Sequence, residues 1–299
     1  MEHLFKVGLD DGIKALLLVE RAARRQAHQE KGLNPVIKAN LERVFHLDEP
    51  LWRQYVYYLQ NLVQGDFGPS YNLPDFTVAD LFRAGLPVSL QLGAMALTLA
   101  LVVGSALGIW AALRQNRLTD YSVVAVATAG STIPTFVIAP LFQLFFALTL
   151  HWFPVGGWGG GAFVNKVGPV LTLMLPQLAI VARLMRGSMI ESLHAHHIRT
   201  ARALGLSNYS VVIRHALRGA LLPIVSYAGP AAAALLTGSV IVETIFSIPG
   251  VGRYFVEAAL NRDYTLVMGT VVLIAIFTVL FNLIVDILYA VIDPRVRYD

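Results

Sequence analysis

Three groups of residues have the types and spacing that could do chemistry. His194, His196 and His197 could turn imidazole nitrogens toward a metal, but they lie on a basic stretch with no acid cluster beside them, so no metal site is expected there. The glycine-rich run from Gly156 to Gly161 has the composition of a phosphate cradle, yet it lacks the Lys followed by Ser or Thr that a phosphate loop requires. It reads as a flexible external loop. Asp286 stands inside an otherwise apolar stretch, where an ionised side chain is costly and usually faces a partner or water. Asn282 and Tyr289, four residues before and three after, share its helix face, which favours a structural hydrogen bond over a proton-coupling role. No nucleophile, metal set or acid/base cluster assembles at one depth, so no catalytic residue and no cofactor is assigned.

The elements that would carry these residues are apolar. Of 299 residues, 56% are hydrophobic and only 14% charged, which points to lipid rather than water as the solvent. There are no cysteines, so disulfides and thiolate metal sites do not enter. The net charge of +4 comes from basic residues in short segments between apolar runs, a pattern expected of cytoplasmic loops and not of a nucleic-acid surface. Spanning a hydrocarbon core of about 30 Å takes about 20 apolar residues as helix. Five stretches qualify or nearly do: Leu86 to Leu113, Tyr121 to Leu150, Val167 to Ala182, Gly219 to Val242 and Tyr264 to Ile292. The third is the shortest, held between Lys166 and Arg183, whose stems can snorkel toward headgroups.

Orientation follows from the short connections. Arg114, Arg117, Arg183, Arg186, Arg199, Arg202, Arg214, Arg218, Arg295 and Arg297 fall on one side; Lys166, Arg253 and Arg262 fall on the other. The first set belongs in the cytoplasm, with the C-terminus. Five spans would then leave the N-terminus outside, although residues 1–48 carry both charge signs and their best apolar run, Ala15 to Val19, is too short to cross. Inside the spans, Gly130, Pro134 and Pro140 are expected to interrupt the second, Pro176 the third and Gly229-Pro230 the fourth. Pro134, Pro140, Gly229 and Pro230 are the candidate pathway-lining positions, with simple kinked packing as the equal alternative.

The segment from Arg183 to Leu222 carries six arginines against one acid, Glu191. Glu191 to Leu204 is helical material, Gly205 can take the left-handed conformation that ends a helix, and Ser207 can cap the next one. Taken by themselves, the residues leave two readings open: a solvated basic loop, or a short helix presented at the surface.

The stretch Arg199-Thr200-Ala201-Arg202-Ala203-Leu204-Gly205-Leu206, followed by His215-Ala216-Leu217-Arg218 and Leu221-Leu222-Pro223, closely resembles the cytoplasmic signature of binding-protein-dependent ABC importer permeases. Arg199-Thr200-Ala201 stands where the general signature has Glu-Ala-Ala, and Leu222-Pro223 falls four residues later than usual, both habits of the peptide and nickel branch. Gln64 to Ser70, Glu243-Thr244-Ile245-Phe246 leading to Pro249-Gly250-Val251-Gly252, Asn261 to Tyr264 and Asp293-Pro294-Arg295 resemble the same branch. Asn40 to Pro50 and the loop from His151 through Gly161 look most like the B subunit of oligopeptide permeases.

The resemblance implies an all-α, polytopic transmembrane bundle, the type I importer permease fold, with five visible spans where the family has six. It implies a periplasmic segment at 36–85, a transmembrane permease domain at 86–299 and a coupling loop at 183–222. Residues 1–35 do not resemble the family's first transmembrane helix; a displaced reading frame or start site is the expectation, and a genuine five-span variant the alternative. The implied partners are a second homologous permease, two cytoplasmic ABC ATPases, a periplasmic peptide-binding protein, membrane lipid and the peptide itself. Arg199, Thr200, Ala201, Arg202, Ala203, Gly205 and Leu206 would form the coupling site, with Ala201 and Gly205 as small residues for close docking. The chain would sit in the bacterial inner membrane as a transport subunit, ATP hydrolysis falling to its partners. Dipeptide or nickel uptake is the alternative, and a secondary transporter a more distant one.

Overall fold

The computed structural model describes residues 49–70, 73 and 76–292. The expectations for residues 1–35 and for Asp293-Pro294-Arg295 lie outside the described residues. Among the described residues every regular element is helical, with one isolated antiparallel bridge between Pro69 and Thr77. The chain divides into two units.

The smaller unit takes the described residues up to Ala79 together with Arg262–Leu266. Its helix α1, Leu51–Val63, leaves Trp52, Val56, Leu59 and Val63 exposed at the spacing of a single helix face. Ser70 Oγ donates to the buried carboxylate of Asp263, whose other oxygen accepts the Leu266 N–H at 3.1 Å. Asp263 thereby satisfies an open donor at the start of the helix that begins at Tyr264.

The larger unit holds the long helices. In chain order they are α2 (Val78–Leu113), α3 (Leu118–Thr132), α4 (Thr135–Phe142, continuing as a π-turn over Gln143–Thr149) and α5 (Phe163–His194). Then come α6 (His196–Ala203), α7 (Asn208–Ser210), a π-turn over Val211–Ala216, α8 (Leu217–Ala220), α9 (Leu222–Ile245), α10 (Val251–Leu260) and α11 (Tyr264–Ile292). Helices α2, α5, α9 and α11 are each long and apolar enough to cross a bilayer, and α3 with α4 makes a fifth if the pair, bent by 101°, counts as one broken span. Helix α5 packs against α3, α4, α8 and α9, and so sits at the centre of the unit. Gly104 and Gly108 bring the α2 backbone against Val181, Ala182 and Met185 of α5.

Several expectations need correcting. The third span is not short: α5 has 32 residues, about 48 Å at 1.5 Å per residue, so it overruns the hydrocarbon. Arg183 and Arg186 end the apolar run but not the helix. The fourth helix likewise begins at Leu222 and not at Gly219. Of the expected breaks, only the one at Pro134 interrupts a helix; α5 runs through Pro176 and α9 through Pro230. At the break, Ile133 (ψ 122°) and Pro134 (ψ 143°) are both extended, the conformation a proline imposes on its predecessor when nothing overrides it. The glycine-rich loop is tied down, since Gly157 N–H donates to the Phe246 carbonyl at 2.7 Å and Asn165 Nδ2 to the Gly157 carbonyl at 3.0 Å. Asp286 is exposed on α11 and Asn282 lies against Gly229 of α9, while the side chain of Tyr289, the other expected partner, lies outside the described residues.

A buried acid shapes the end of the unit opposite the arginine-rich segment. Glu243, fully buried near the end of α9, accepts the N–H groups of Gly252 (2.8 Å) and Arg253 (3.3 Å) in the first turn of α10. A carboxylate at a helix N-terminus meets both open donors and the positive end of the dipole. The two helices approach so closely that a Cβ at Gly252 would fall 2.4 Å from Val240 Cα. Gly252→Ala is therefore expected to destabilise the purified protein by about 1–3 kcal/mol, the usual scale of overpacking. Thermal unfolding in detergent reads this out, and an unchanged midpoint would contradict it.

Candidate functional site

The arginine-rich segment folds as a helix, a cap and a second helical run. Ala195 is extended (ψ 151°) and separates α5 from α6. This corrects the expected unbroken helix from Glu191 to Leu204. At the far end of α6, the Gly205 N–H donates to the Arg202 carbonyl (3.0 Å) and the Leu206 N–H to the Ala201 carbonyl (3.3 Å). That pair of bonds is a Schellman cap, which needs a left-handed residue, and Gly205 supplies it at φ 78°. Ser207 then accepts the Ser210 N–H at 3.3 Å and starts the next run, as its position in the sequence predicts.

The helix has an inner and an outer face. Ile198 and Ala201 are buried with Met185 and Met189 of α5, Val211, Ala216 and Ile224. Ser192 Oγ also donates to the Ala216 carbonyl at 2.7 Å, joining α5 to the run that leads into α9. The outer face carries Arg199, Thr200, Arg202, Ala203, Gly205 and Leu206, all exposed. Ala201 therefore turns inward, contrary to the expectation that it offers a docking contact. Two residues that the sequence reading passed over stand out beside this face: Leu204 is 75% exposed and Tyr209 77%. The available signal was an apolar pair flanking the capping glycine inside an otherwise basic segment. Among the described residues no carboxylate pairs with Arg199 or Arg202, so the outer face combines free positive charge with exposed apolar surface. Exposed surfaces of that kind mark protein or membrane interaction sites.

The foot of α5 is held by a separate interaction. Asp120 at the start of α3 is fully buried and receives both Arg186 Nε and Arg186 Nη2, the latter at 2.7 Å, together with the Asn116 N–H at 2.9 Å. The two-pronged arginine grip fixes α3 to α5 close to α6.

The candidate pathway residues lie at the α3–α4 break, on α4 and on α9, and α4 packs against α9. Pro134 forms the break between α3 and α4, and Pro140 is exposed one turn and a half further along. Pro230 is exposed on α9, whereas Gly229 is buried where α9 meets Phe281, Asn282 and Val285 of α11. Gly229 thus sits at a close approach of two helices.

Residues 104–298 match the family model described as binding-protein-dependent transport system inner membrane component. The chain belongs to that family. It is 51% identical over 269 residues to the oligopeptide transport system permease protein OppB of Salmonella typhimurium, a match covering 90% of this chain and 88% of the relative. The corresponding protein of Haemophilus influenzae is 48% identical over the same shares. The dipeptide transport system permease protein DppB of Bacillus subtilis is 42% identical over 270 residues, covering 90% and 87%. Among solved structures, an inward-facing form of the MetNI methionine ABC transporter superposes with a TM-score of 0.60 at 16% identity, covering 70% of this chain and 94% of that one. At that identity the likeness shows the fold: that of a type I ABC importer permease. This family member is a multi-pass inner-membrane component of a transport system that works with other subunits, and it is not an enzyme.

Proposed function

We propose that this chain is a permease subunit of an ATP-driven oligopeptide importer. It forms the translocation path with a homologous second permease. Two cytoplasmic ATPases dock on α6, and a periplasmic binding protein delivers the peptide. The observation that carries the substrate class is the 48–51% identity to oligopeptide permeases over nine-tenths of the chain. Dipeptide uptake is the second reading, favoured by the 42% identity to a dipeptide permease.

The outer face of α6 supports the coupling role. Arg199, Thr200, Arg202, Ala203, Gly205 and Leu206, with Leu204 and Tyr209 beside them, offer charge and apolar area at one spot, while Ile198 and Ala201 root the helix in the bundle. The basic bias of the connections on that side supports a cytoplasmic placement, with the C-terminus on the same side. A partner that moves α6 would move α5 through Ala195 and α9 through the run from Asn208 to Ala220. The broken α3–α4 pair, with Pro134 and Pro140, and the Pro230 surface would then open and close the path.

Affinity purification of the tagged chain in detergent tests the reading. Recovery of a second permease and two ATPases, with ATP turnover raised by peptide-loaded binding protein, is the expected result. A chain that purifies alone and transports without ATP would overturn it.

A further inference from the structure

Between α2 and α5 lies an open groove of about 530 Å³, lined by Ala94, Met95, Leu99, Val167, Val170 and Leu171, with Lys166 at one end. Its size falls within the roughly 300–1,000 Å³ of sites that enclose small ligands. The lining is apolar apart from Thr98 and Lys166. Ala94, Thr98, Leu99 and Phe163 on its walls are exposed, so the groove opens to whatever surrounds the larger unit.

Lys166 is the unusual member. It is only 8% exposed, and its ammonium lies 5.0 Å from the centre of the Trp158 ring. Among the described residues no carboxylate forms an ion pair with it. A buried cation whose protein neighbour is an aromatic face is short of an anion. Lys166 also stands at a defined depth. It precedes Arg183 by 17 positions on one continuous helix, about 26 Å at 1.5 Å per residue, which is close to the thickness of a hydrocarbon core. Lys166 and Arg183 therefore mark the two edges of the bilayer along α5. Val167, Val170 and Leu171 continue from Lys166 toward the bilayer centre, and Leu99 lies beyond Ala94 in the same direction on α2.

We propose that this groove is a binding site for an anionic phospholipid, in the leaflet at the Lys166 edge. The phosphate meets Lys166 from the side not covered by Trp158, and one acyl chain lies in the groove against Met95, Leu99, Val170 and Leu171. The charge and the apolar wall are joined in one feature, and an amphipathic anion satisfies both at once; a wholly apolar helix of another subunit would fill the wall and leave the cation unmet.

The test uses the complete transporter in nanodiscs, with Trp52, Trp110 and Trp152 replaced by Phe so that Trp158 is this chain's one tryptophan, and its signal is taken as the difference from a matched Trp158→Phe sample. Bromine on lipid chains quenches tryptophan on contact. Dibrominated phosphatidylglycerol in a phosphatidylcholine background is expected to quench Trp158 at a several-fold lower mole fraction than dibrominated phosphatidylcholine does. Lys166→Gln is expected to abolish the difference. Ala94→Phe, at an exposed position on the wall, is expected to weaken quenching by both lipids while leaving Lys166 in place. Equal quenching by the two lipids in the unsubstituted groove, or none by either, would overturn the proposal; the second result would mean that another subunit covers the groove.

Discussion

Cells whose only copy of this permease carries Gly205→Asp are expected to lose peptide uptake at least tenfold, while the amount of protein in the membrane stays unchanged. A Cβ at Gly205 would meet nothing within 4 Å, so the new side chain clashes with no part of its own chain. The backbone penalty of a left-handed aspartate is about 1 kcal/mol, too little to unfold the bundle. What changes is the outer surface. A carboxylate now stands beside Arg202 in the middle of a basic and apolar face, and burying it under a docked partner costs more than the 1.4 kcal/mol that corresponds to tenfold. Gly205→Asn is the control, because asparagine takes the left-handed conformation readily and brings no charge. It is expected to retain most of the uptake. Labelled-peptide uptake with quantified membrane fractions decides the matter, and normal uptake by Gly205→Asp would sink the docking role of α6.

The second large effect is expected at Asp120. Removing its carboxylate with Asp120→Ala leaves the Arg186 guanidinium, 28% exposed, without its two-pronged partner, and leaves the Asn116 N–H without an acceptor. Breaking one side of a fully buried ion pair costs about 3–5 kcal/mol; because water reaches part of Arg186, the expected loss is about 1–3 kcal/mol. Removing both sides with Asp120→Ala and Arg186→Met is expected to cost less than Asp120→Ala alone, since methionine can cover the site without a charge. Thermal unfolding of the purified complex distinguishes the cases. A single variant that melts with the parent protein, or a double variant whose loss equals the sum of the singles, would show that the pair contributes nothing.

Much of the bundle was legible because lipid imposes a plain rule on sequence: an apolar run of sufficient length is a helix. The start of the last span at Tyr264 was read correctly, and the Gly205 and Ser207 caps were visible because each depends on two or three neighbouring residues. What could not be read depends on residues far apart. Asp120 looks like the flank of a span, and its partner lies 66 positions away. Arg183 and Arg186 look like the start of a loop because hydropathy reports where the apolar residues stop, not where the helix does. The inward turn of Ala201 depends on which face of a two-turn helix meets Met185 and Met189, which a signature motif does not state. Prolines misled for a related reason. A helix surrounded by neighbours can tolerate one lost hydrogen bond, so Pro176 and Pro230 leave theirs continuous, while Pro134 breaks its own only together with the extended Ile133.

The extended residue between α5 and α6 has a mechanical meaning. A linker of several residues behaves as a slack string, which lets one end wander before the other feels a pull. Ala195 is a string one residue long, with consecutive Cα atoms fixed at about 3.8 Å. It permits almost no stretch, and the packing of Ile198 and Ala201 on Met185 and Met189 limits swing, so it acts as a stiff coupling. Whatever grips α6 cannot draw it away without taking the 32-residue rod along. Lengthening the joint by a few glycines would leave every surface of α6 intact and put play into the linkage.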